Sequence, residues 1–434
     1  MVGITMTRNV FAVVVVAAGV VTAPASPAPS VGAQVLGVRL TGGQGSLGNG
    51  VALIMGPSLI STPSQRYVET VDSLFLQPRG FTGTAVPLTT PESPSYLGES
   101  EAQGAQILTT AIQSEIASGH ADAANPVVVF GYSQSAAFVT FTMEQLHAHG
   151  VPSDDVHFVL VGDPANPSGG LLTGIDVPPG TTIPVLDIPL GNPTPGNLYP
   201  VDVYTLEYDG FADAPHYPID PLAWANTFMG LALVHTAYLG LDSQQVADAV
   251  PLATTGDTLA SYYVIPSENL PLLDPLQWIP VIGAPLYDLL EPVTQILVNQ
   301  GYGSITDGWN QGPANLPTPD ALFPASLNGT ELLTALGNAA TSGLTAFAEA
   351  LVNSQTYQLT PLTDNPSLSA ILTAAYAVGL VNTPHPSSMT DVIDAFLATF
   401  FQSMFGLTWP SPADDVPLPV EPADALTIPF TFEI

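Results

Sequence analysis

Residues 125–141, NPVVVFGYSQSAAFVTF, constrain the fold more than any other stretch. An apolar run over 127–130 stops at Gly131, Ser133 follows, and apolar residues then take up helical spacing from Ala136. Gly131 and Ser135 are small residues two places either side of Ser133. Strand, sharp strained turn and helix make a nucleophile elbow, in which small flanking residues let strand and helix approach closely and the turn lifts a hydroxyl clear of the sheet. The commoner pattern has Gly where Ser135 stands. A Ser hydroxyl attacks a carbonyl only when a base takes its proton and a third group orients that base. The competing reading is a small-residue turn without chemistry, so the rest of the chain must supply a base and an acid.

The flanking sequence supports an α/β architecture. Residues 51–55, 127–130, 156–162 and 201–210 read as short apolar strands. The segment 64–76 has helical spacing at Tyr67, Val71 and Leu74, and Ala105, Leu108, Ile112 and Ile116 share one helical face. Residues 136–149 read as a helix stopped by Gly150, and 221–241 is helical in character. Apolar strands alternating with helices imply a mostly parallel central sheet flanked by helices. Ligands bind at the carboxyl ends of such strands, where 131–133, 162–163 and 209–213 fall. Beyond Tyr302, Pro-rich loops separate apolar helical stretches at 332–351, 368–380 and 389–404. These either complete the domain or roof the site as a lid.

Charge narrows the partners. Four basic residues face 37 acidic ones, for a net charge of -33, and Arg8, Arg39, Arg66 and Arg79 are the only cations besides His. Such a surface repels nucleic acid and anionic lipid heads. The N-terminus has one Arg, an apolar run over 10–21 and then small residues, the pattern of a secretory signal. Cleavage after Ala25 or Ala33 is expected, with an uncleaved anchor as the alternative. The chain has no Cys, so an exported form rests on its core rather than on disulfides. No metal is expected, since the His147–His149 pair lacks companion ligands. No cofactor is expected either, because the phosphate loop GxxxxGK[ST] is missing.

In this fold type the partners follow in the order Ser, acid, base. The segment YDGFADAP offers Asp213, three residues past Gly210, as the acid, with Asp209 at the strand end as the alternative and Asp163 third. Asp beside Gly is more often only a turn former. Of seven His, order and position leave His216, His235 and His385. His216 lies too near Asp213, His385 is a loop fallback, and His235 in LALVHTAYL follows a stretch long enough to return the chain to the site. For the oxyanion, Gln134 should give one N–H. The loop after the first strand, MGPSLIS, should give another from Ser58 or Leu59, since Pro57 has none; Ser58 can add its hydroxyl.

The stretches GYSQSA, VGDPANPSGG, YDGFADAPHYPIDPLAWANTFMG, VHTAYL and LPLLDPLQWIP…PLYDLLEPVTQILVNQGYG resemble the PE-PPE C-terminal domain of mycobacteria and related actinobacteria. The resemblance runs from about Leu53 to Gly303 and implies a cutinase-like serine hydrolase of the α/β-hydrolase fold, with an additional C-terminal helical region. It places the acid in the Y-D-G-x-A-D segment and the base in the H-x-x-Y segment, mapping onto Asp213 and His235. The chain departs from the family in having Asp163 where Asn is common. A secretory segment is expected where a PE or PPE helical module would precede the domain. The expected organisation is a signal at 1–33, the hydrolase domain at 34–303, a helical extension or lid at 304–408, and a Pro-rich acidic tail at 409–434. Three functions are open: an exported, secreted or cell-envelope esterase acting on acyl esters, an acyltransferase with a glycolipid sugar such as trehalose as acceptor, and a non-catalytic envelope-binding protein. Contact with cell-envelope lipid fits all three. The oligomeric state is not set by the sequence.

Overall fold

The apolar runs are continuous because the strands are covered on both faces. A computed structural model describes residues 46–119, 121–174, 178, 181–183, 188–217, 219–279, 282–317, 328–352 and 365–381. The expected signal, His120, His385, the stretch 389–404 and the acidic tail lie outside these residues. The strands are β1 (Val51–Ile54), β2 (Thr84–Pro87), β3 (Val127–Tyr132), β4 (Val156–Val161), β5 (Thr181–Ile183), β6 (Ile188–Leu190), β7 (Val201–Leu206), β8 (Val250–Pro251) and β9 (Ala260–Ile265). The helices are α1 (Gln65–Val71), α2 (Leu97–Ala117), α3 (Gln134–Ala148), α4 (Pro221–Leu233), α5 (Ser243–Ala247), α6 (Asp274–Gln277), α7 (Gly283–Asn299), α8 (Gly329–Val352) and α9 (Pro366–Ala377).

Among the described residues one seven-stranded sheet runs in the order β2-β1-β3-β4-β7-β9-β8. All its pairings are parallel except β8 with β9. β5 and β6 form a separate antiparallel ribbon. This is the mostly parallel α/β-hydrolase architecture expected from the sequence. Side chains alternate across each strand. Val127, Val129, Phe158, Leu160 and Val203 pack with Leu108 and Ile112 of α2 and Phe138 and Met143 of α3. Val128, Phe130, Val159, Val161 and Leu206 pack on the other face with Tyr67 and Val71 of α1, Val234, Tyr238 and Leu239, and Ala374 and Ala377 of α9. Each such burial stabilises by roughly 1.5–3 kcal/mol.

The strand order reverses between β1 and β3, since β1 lies between its successor β2 and β3. In open α/β sheets a crevice opens at the carboxyl ends of strands at such a reversal. Here it lies between the loop after β1 and the elbow after β3.

The two described arginines both have internal work. Arg79 Nη1 lies 2.9 Å from Asp202 Oδ2 in β7, which also meets His157 Nε2 of β4 at 2.8 Å. His157 thus answers a buried carboxylate well away from the elbow. Arg66 sits 3.8 Å above the Tyr376 ring and donates from Nη1 to the Tyr376 carbonyl at 2.8 Å. This contact ties α9 to α1. Asn365 caps α9 by accepting from Leu368 N at 3.0 Å. The same side chain donates to Gln277 Oε1 at 2.7 Å. At Gly240 the backbone of α9 comes so close that an added Cβ would overlap the Ala370 carbonyl. Of the two readings for the C-terminal stretches, α9 fits completion of the domain: Leu368, Ile371 and Leu372 are buried. α8 lies along α7, crossing it where Gly343 meets the Leu289 carbonyl. No helix among the described residues is long and apolar enough to cross a membrane.

Candidate active site

The elbow begins with backbone strain. Ser133 has φ 58° and ψ −117°, a region a side-chain-bearing residue enters only when its surroundings impose it, at a cost of order 1–3 kcal/mol. Several contacts impose it. Ser133 N–H donates to the Val161 carbonyl of β4 at 3.1 Å. Ser135 Oγ accepts from Tyr132 N–H at 2.8 Å and donates back to the Tyr132 carbonyl at 3.1 Å. The second small residue of the motif therefore does what Gly cannot, because its hydroxyl cross-ties the turn. At Gly131 an added Cβ would stand 3.0 Å from Ala136 N and Cα, so the close strand–helix approach requires glycine.

His235 reaches this serine from the segment after β7 and α4, two strands along the sheet from β3. The sequence reads 221–241 as one helical stretch, but α4 ends at Leu233. The N–H groups of Val234 and His235 both fold back to the Gly230 carbonyl, at 3.0 and 2.9 Å. That break turns the imidazole out of the helix toward the elbow. His235 Nε2 is 2.8 Å from Ser133 Oγ. Its Nδ1 is 2.9 Å from both oxygens of Asp209. A carboxylate only accepts, so Nδ1 carries the proton and donates to Asp209, which leaves Nε2 to accept from the Ser133 hydroxyl. The Tyr132 hydroxyl donates to the His235 carbonyl. The Phe211 ring lies 4.5 Å from the imidazole, centroid to centroid.

The carboxylate in this row is Asp209, not Asp213, and this corrects the first choice made from sequence. Asp213 Oδ2 accepts from Tyr208 N–H at 2.9 Å, and its own N–H donates to the Asp209 carbonyl at 2.7 Å. The turn after β7 is tight, with Tyr208 at φ 67°, so Asp209 stays at the sheet edge facing His235 while Asp213 folds back under the turn. Burial pushes the Asp213 carboxyl well above the usual range, the wrong direction for a group that must hold an imidazolium. Asp209 is fully buried and densely solvated by protein. Its Oδ1 accepts from Phe211 N–H at 2.9 Å and Ala212 N–H at 3.3 Å, and its Oδ2 from the Tyr238 hydroxyl at 2.7 Å. Asp163 is also outside the row, accepting from Ala165 N–H and the Thr194 hydroxyl.

Around the expected oxyanion position, Gln134 is the first residue of α3, where a helix N–H has no intrahelical acceptor. Of the two loop candidates, Leu59 is engaged elsewhere: its N–H donates to the Glu92 carbonyl at 2.8 Å. The Ser58 hydroxyl donates to Gln134 Oε1 at 2.7 Å, and Gln134 Nε2 donates to Ser100 Oγ at 2.8 Å. One amide side chain thus fixes the loop after β1 to both α3 and α2.

Several buried carboxyls are held toward the neutral form. Burial pushes Asp163 up to about 6, Asp274 to about 7 and Glu92 to about 8, with hydrogen bonds opposing in each case. Between the ordinary carboxylate range and these values, the native state holds protons that the unfolded chain has lost. Stability therefore falls as pH rises through that window. Tm measured by calorimetry is expected to rise as pH is lowered from 8.5 to 5.5. A Tm that is flat or falls over that range would contradict these protonation states.

A strained serine, an imidazole and a buried carboxylate in one hydrogen-bonded row, on the carboxyl edge of a mostly parallel sheet, define the α/β-hydrolase class. The chain belongs to the PE-PPE domain family, whose sequence pattern matches residues 56–303. Its relatives include the PPE family protein PPE28 of Mycobacterium tuberculosis, 41% identical over 63% of this chain and 42% of that one. Esterase PE16 of the same organism is 36% identical over 74% of this chain and 60% of its own length. A third, diacyltrehalose acyltransferase Chp2, also of M. tuberculosis, is 26% identical over 48% of this chain and 59% of its own. The chain spans about half the length of the curated relatives it matches, from 42% to 62% across four PE and PPE proteins of M. tuberculosis.

Proposed function

We propose that the protein is a serine esterase that cleaves acyl esters through an acyl-enzyme intermediate. The observation that carries this reading is the Ser133–His235–Asp209 row, with contacts of 2.8 and 2.9 Å. Ser133 Oγ attacks the ester carbonyl while His235 Nε2 takes its proton, and Asp209 holds the resulting imidazolium. In this reading the N–H groups of Gln134 and Ser58 are assigned to the developing oxyanion. His235 then gives its proton to the departing alkoxide, and a water, deprotonated by the same nitrogen, releases the acid. The name of the PE16 relative supports an ester substrate. A p-nitrophenyl ester should be hydrolysed by the purified chain, and Ser133→Ala should lower kcat at least ~10⁴-fold. Equal rates for the two proteins would remove the reading.

One relative favours a second acceptor. Likeness to a diacyltrehalose acyltransferase is consistent with the same acyl-enzyme being captured by a sugar hydroxyl instead of water. Supplying trehalose with the ester and resolving the products by mass spectrometry separates the two: free acid marks hydrolysis, and acylated trehalose marks transfer. Export belongs to the same proposal, resting on the apolar run at 10–21 and the small residues after it. N-terminal sequencing of the protein recovered from culture medium or envelope would locate any cleavage.

A further inference from the structure

The H-x-x-Y segment places a tyrosine three residues after the base, with its hydroxyl on the carboxylate of the row. We infer that Tyr238 is a positioning residue for the proposed hydrolase: its hydroxyl fixes the Asp209 carboxylate so that the acid faces His235 Nδ1 in one orientation. This deepens the serine-esterase reading and rests on it.

Three observations converge. First, the hydroxyl sits at a junction. It donates to Asp209 Oδ2 at 2.7 Å and accepts from Leu206 N–H, the last residue of β7, at 2.9 Å. The segment that carries the base is thereby pinned to the strand that delivers the acid. Second, the donor direction is fixed by chemistry. Leu206 N–H can only donate, so the phenol oxygen accepts from it and its own proton goes to the carboxylate. Tyr238 is fully buried. Burial, and then the charge of Asp209, raise its ionisation far above the ordinary phenol range, so the proton stays on. Third, the ring is boxed in. Tyr132 meets it edge-on at 5.4 Å, His235 lies 6.4 Å away, and at Gly162 an added Cβ would stand 2.8 Å from Tyr238 Cε2. These contacts hold the ring in place and its hydroxyl against Asp209.

Consider what Asp209 would do without it. Oδ1 would keep the Phe211 and Ala212 N–H groups beside His235, and Oδ2 would keep His235 alone, the very group it has to orient. A carboxylate held by the surrounding protein at one oxygen turns more freely about its Cβ–Cγ bond, and the Tyr238 anchor at the other oxygen opposes that rotation. The effect reaches the reaction only through Asp209 and His235, because Tyr238 touches neither Ser133 nor the reacting carbonyl. A hydrogen bond to a charged group is worth about 10- to 100-fold in the property it supports.

The test is Tyr238→Phe in the full chain, assayed with a p-nitrophenyl ester beside wild type. Expected are a kcat lower by about 10- to 100-fold with KM unchanged, an acid limb of the kcat/KM profile moved to higher pH, and a displaced downfield proton resonance for the Nδ1–H of His235. A purely structural tyrosine would lower Tm and leave the profile and resonance of the folded fraction in place, which overturns the inference. Should the Phe variant not fold, 3-fluorotyrosine installed at 238 keeps the ring and both hydrogen bonds while making the phenol a stronger donor. A moved resonance and a changed kcat support the inference, and no change in either overturns it. Wild type lacking esterase activity would sink the serine-esterase reading instead, and that outcome is visible before any variant is made.

Discussion

Asp209→Asn is expected to lower kcat by about 10⁴-fold, and Asp213→Asn to leave it within about a factor of ten. The first figure is what an amide in place of the orienting carboxylate costs when it forces the wrong imidazole tautomer. Asp209 takes Nδ1–H of His235 on both oxygens. An amide presents an N–H to that nitrogen from one side, so the proton shifts to Nε2 and blocks acceptance from Ser133. Asp213 is a different case. Burial already disfavours its charge, and its carboxyl accepts from Tyr208 N–H, a bond that an amide oxygen can also make. Assaying both variants with one p-nitrophenyl ester decides between the two acids. Retained activity in the Asp209 variant with loss in the Asp213 variant would restore the assignment first read from sequence.

Gly162→Ala is expected to lower kcat/KM by about 100-fold with little change in expression. Gly162 directly follows β4 with φ +55°, and its absent side chain is the space against which the row is built. An added Cβ would stand 3.1 Å from His235 Cε1, 3.2 Å from Asp209 Oδ2 and 2.8 Å from Tyr238 Cε2. None of these is the tip of a flexible chain. Relief comes only by moving the imidazole, the carboxylate or the ring, and displacements approaching 1 Å at a reacting centre cost on the order of 100-fold. The left-handed backbone adds a cost of order 1–2 kcal/mol. A crystal structure of the variant should show His235 turned from Ser133. Wild-type kinetics in this variant would mean that the row tolerates displacement and that its geometry is not what sets the rate.

How much of this was legible beforehand differs by residue, for physical reasons. The elbow was legible because its requirements are local: an apolar strand, Gly131, a serine and a helix start all lie within one short window. His235 was found by order along the chain, yet its placement just past a helix was not. The break after Leu233 comes from N–H groups converging on Gly230 and has no Gly or Pro at the break to announce it. The sequence does not by itself separate the two aspartates four residues apart, Asp209 and Asp213. Which of them faces the base depends on the backbone at Tyr208, whose φ of 67° no propensity suggests for tyrosine. Ala260–Ile265 was not read as a strand at all. Its Ser261 and Tyr263 are half-buried between apolar neighbours, which blurs the continuous apolar run that marks β3 and β4. α9 was seen as an apolar stretch, but its seat against Gly240 is a contact between distant parts of the chain that only the fold brings together.

The esterase proposal is tested most directly by reaction with a fluorophosphonate followed by peptide mapping. The account predicts a single adduct on the peptide carrying Ser133, lost in Ser133→Ala and strongly slowed in both His235→Ala and Asp209→Asn. An unlabelled wild type, or an adduct on another residue that persists in Ser133→Ala, would contradict it.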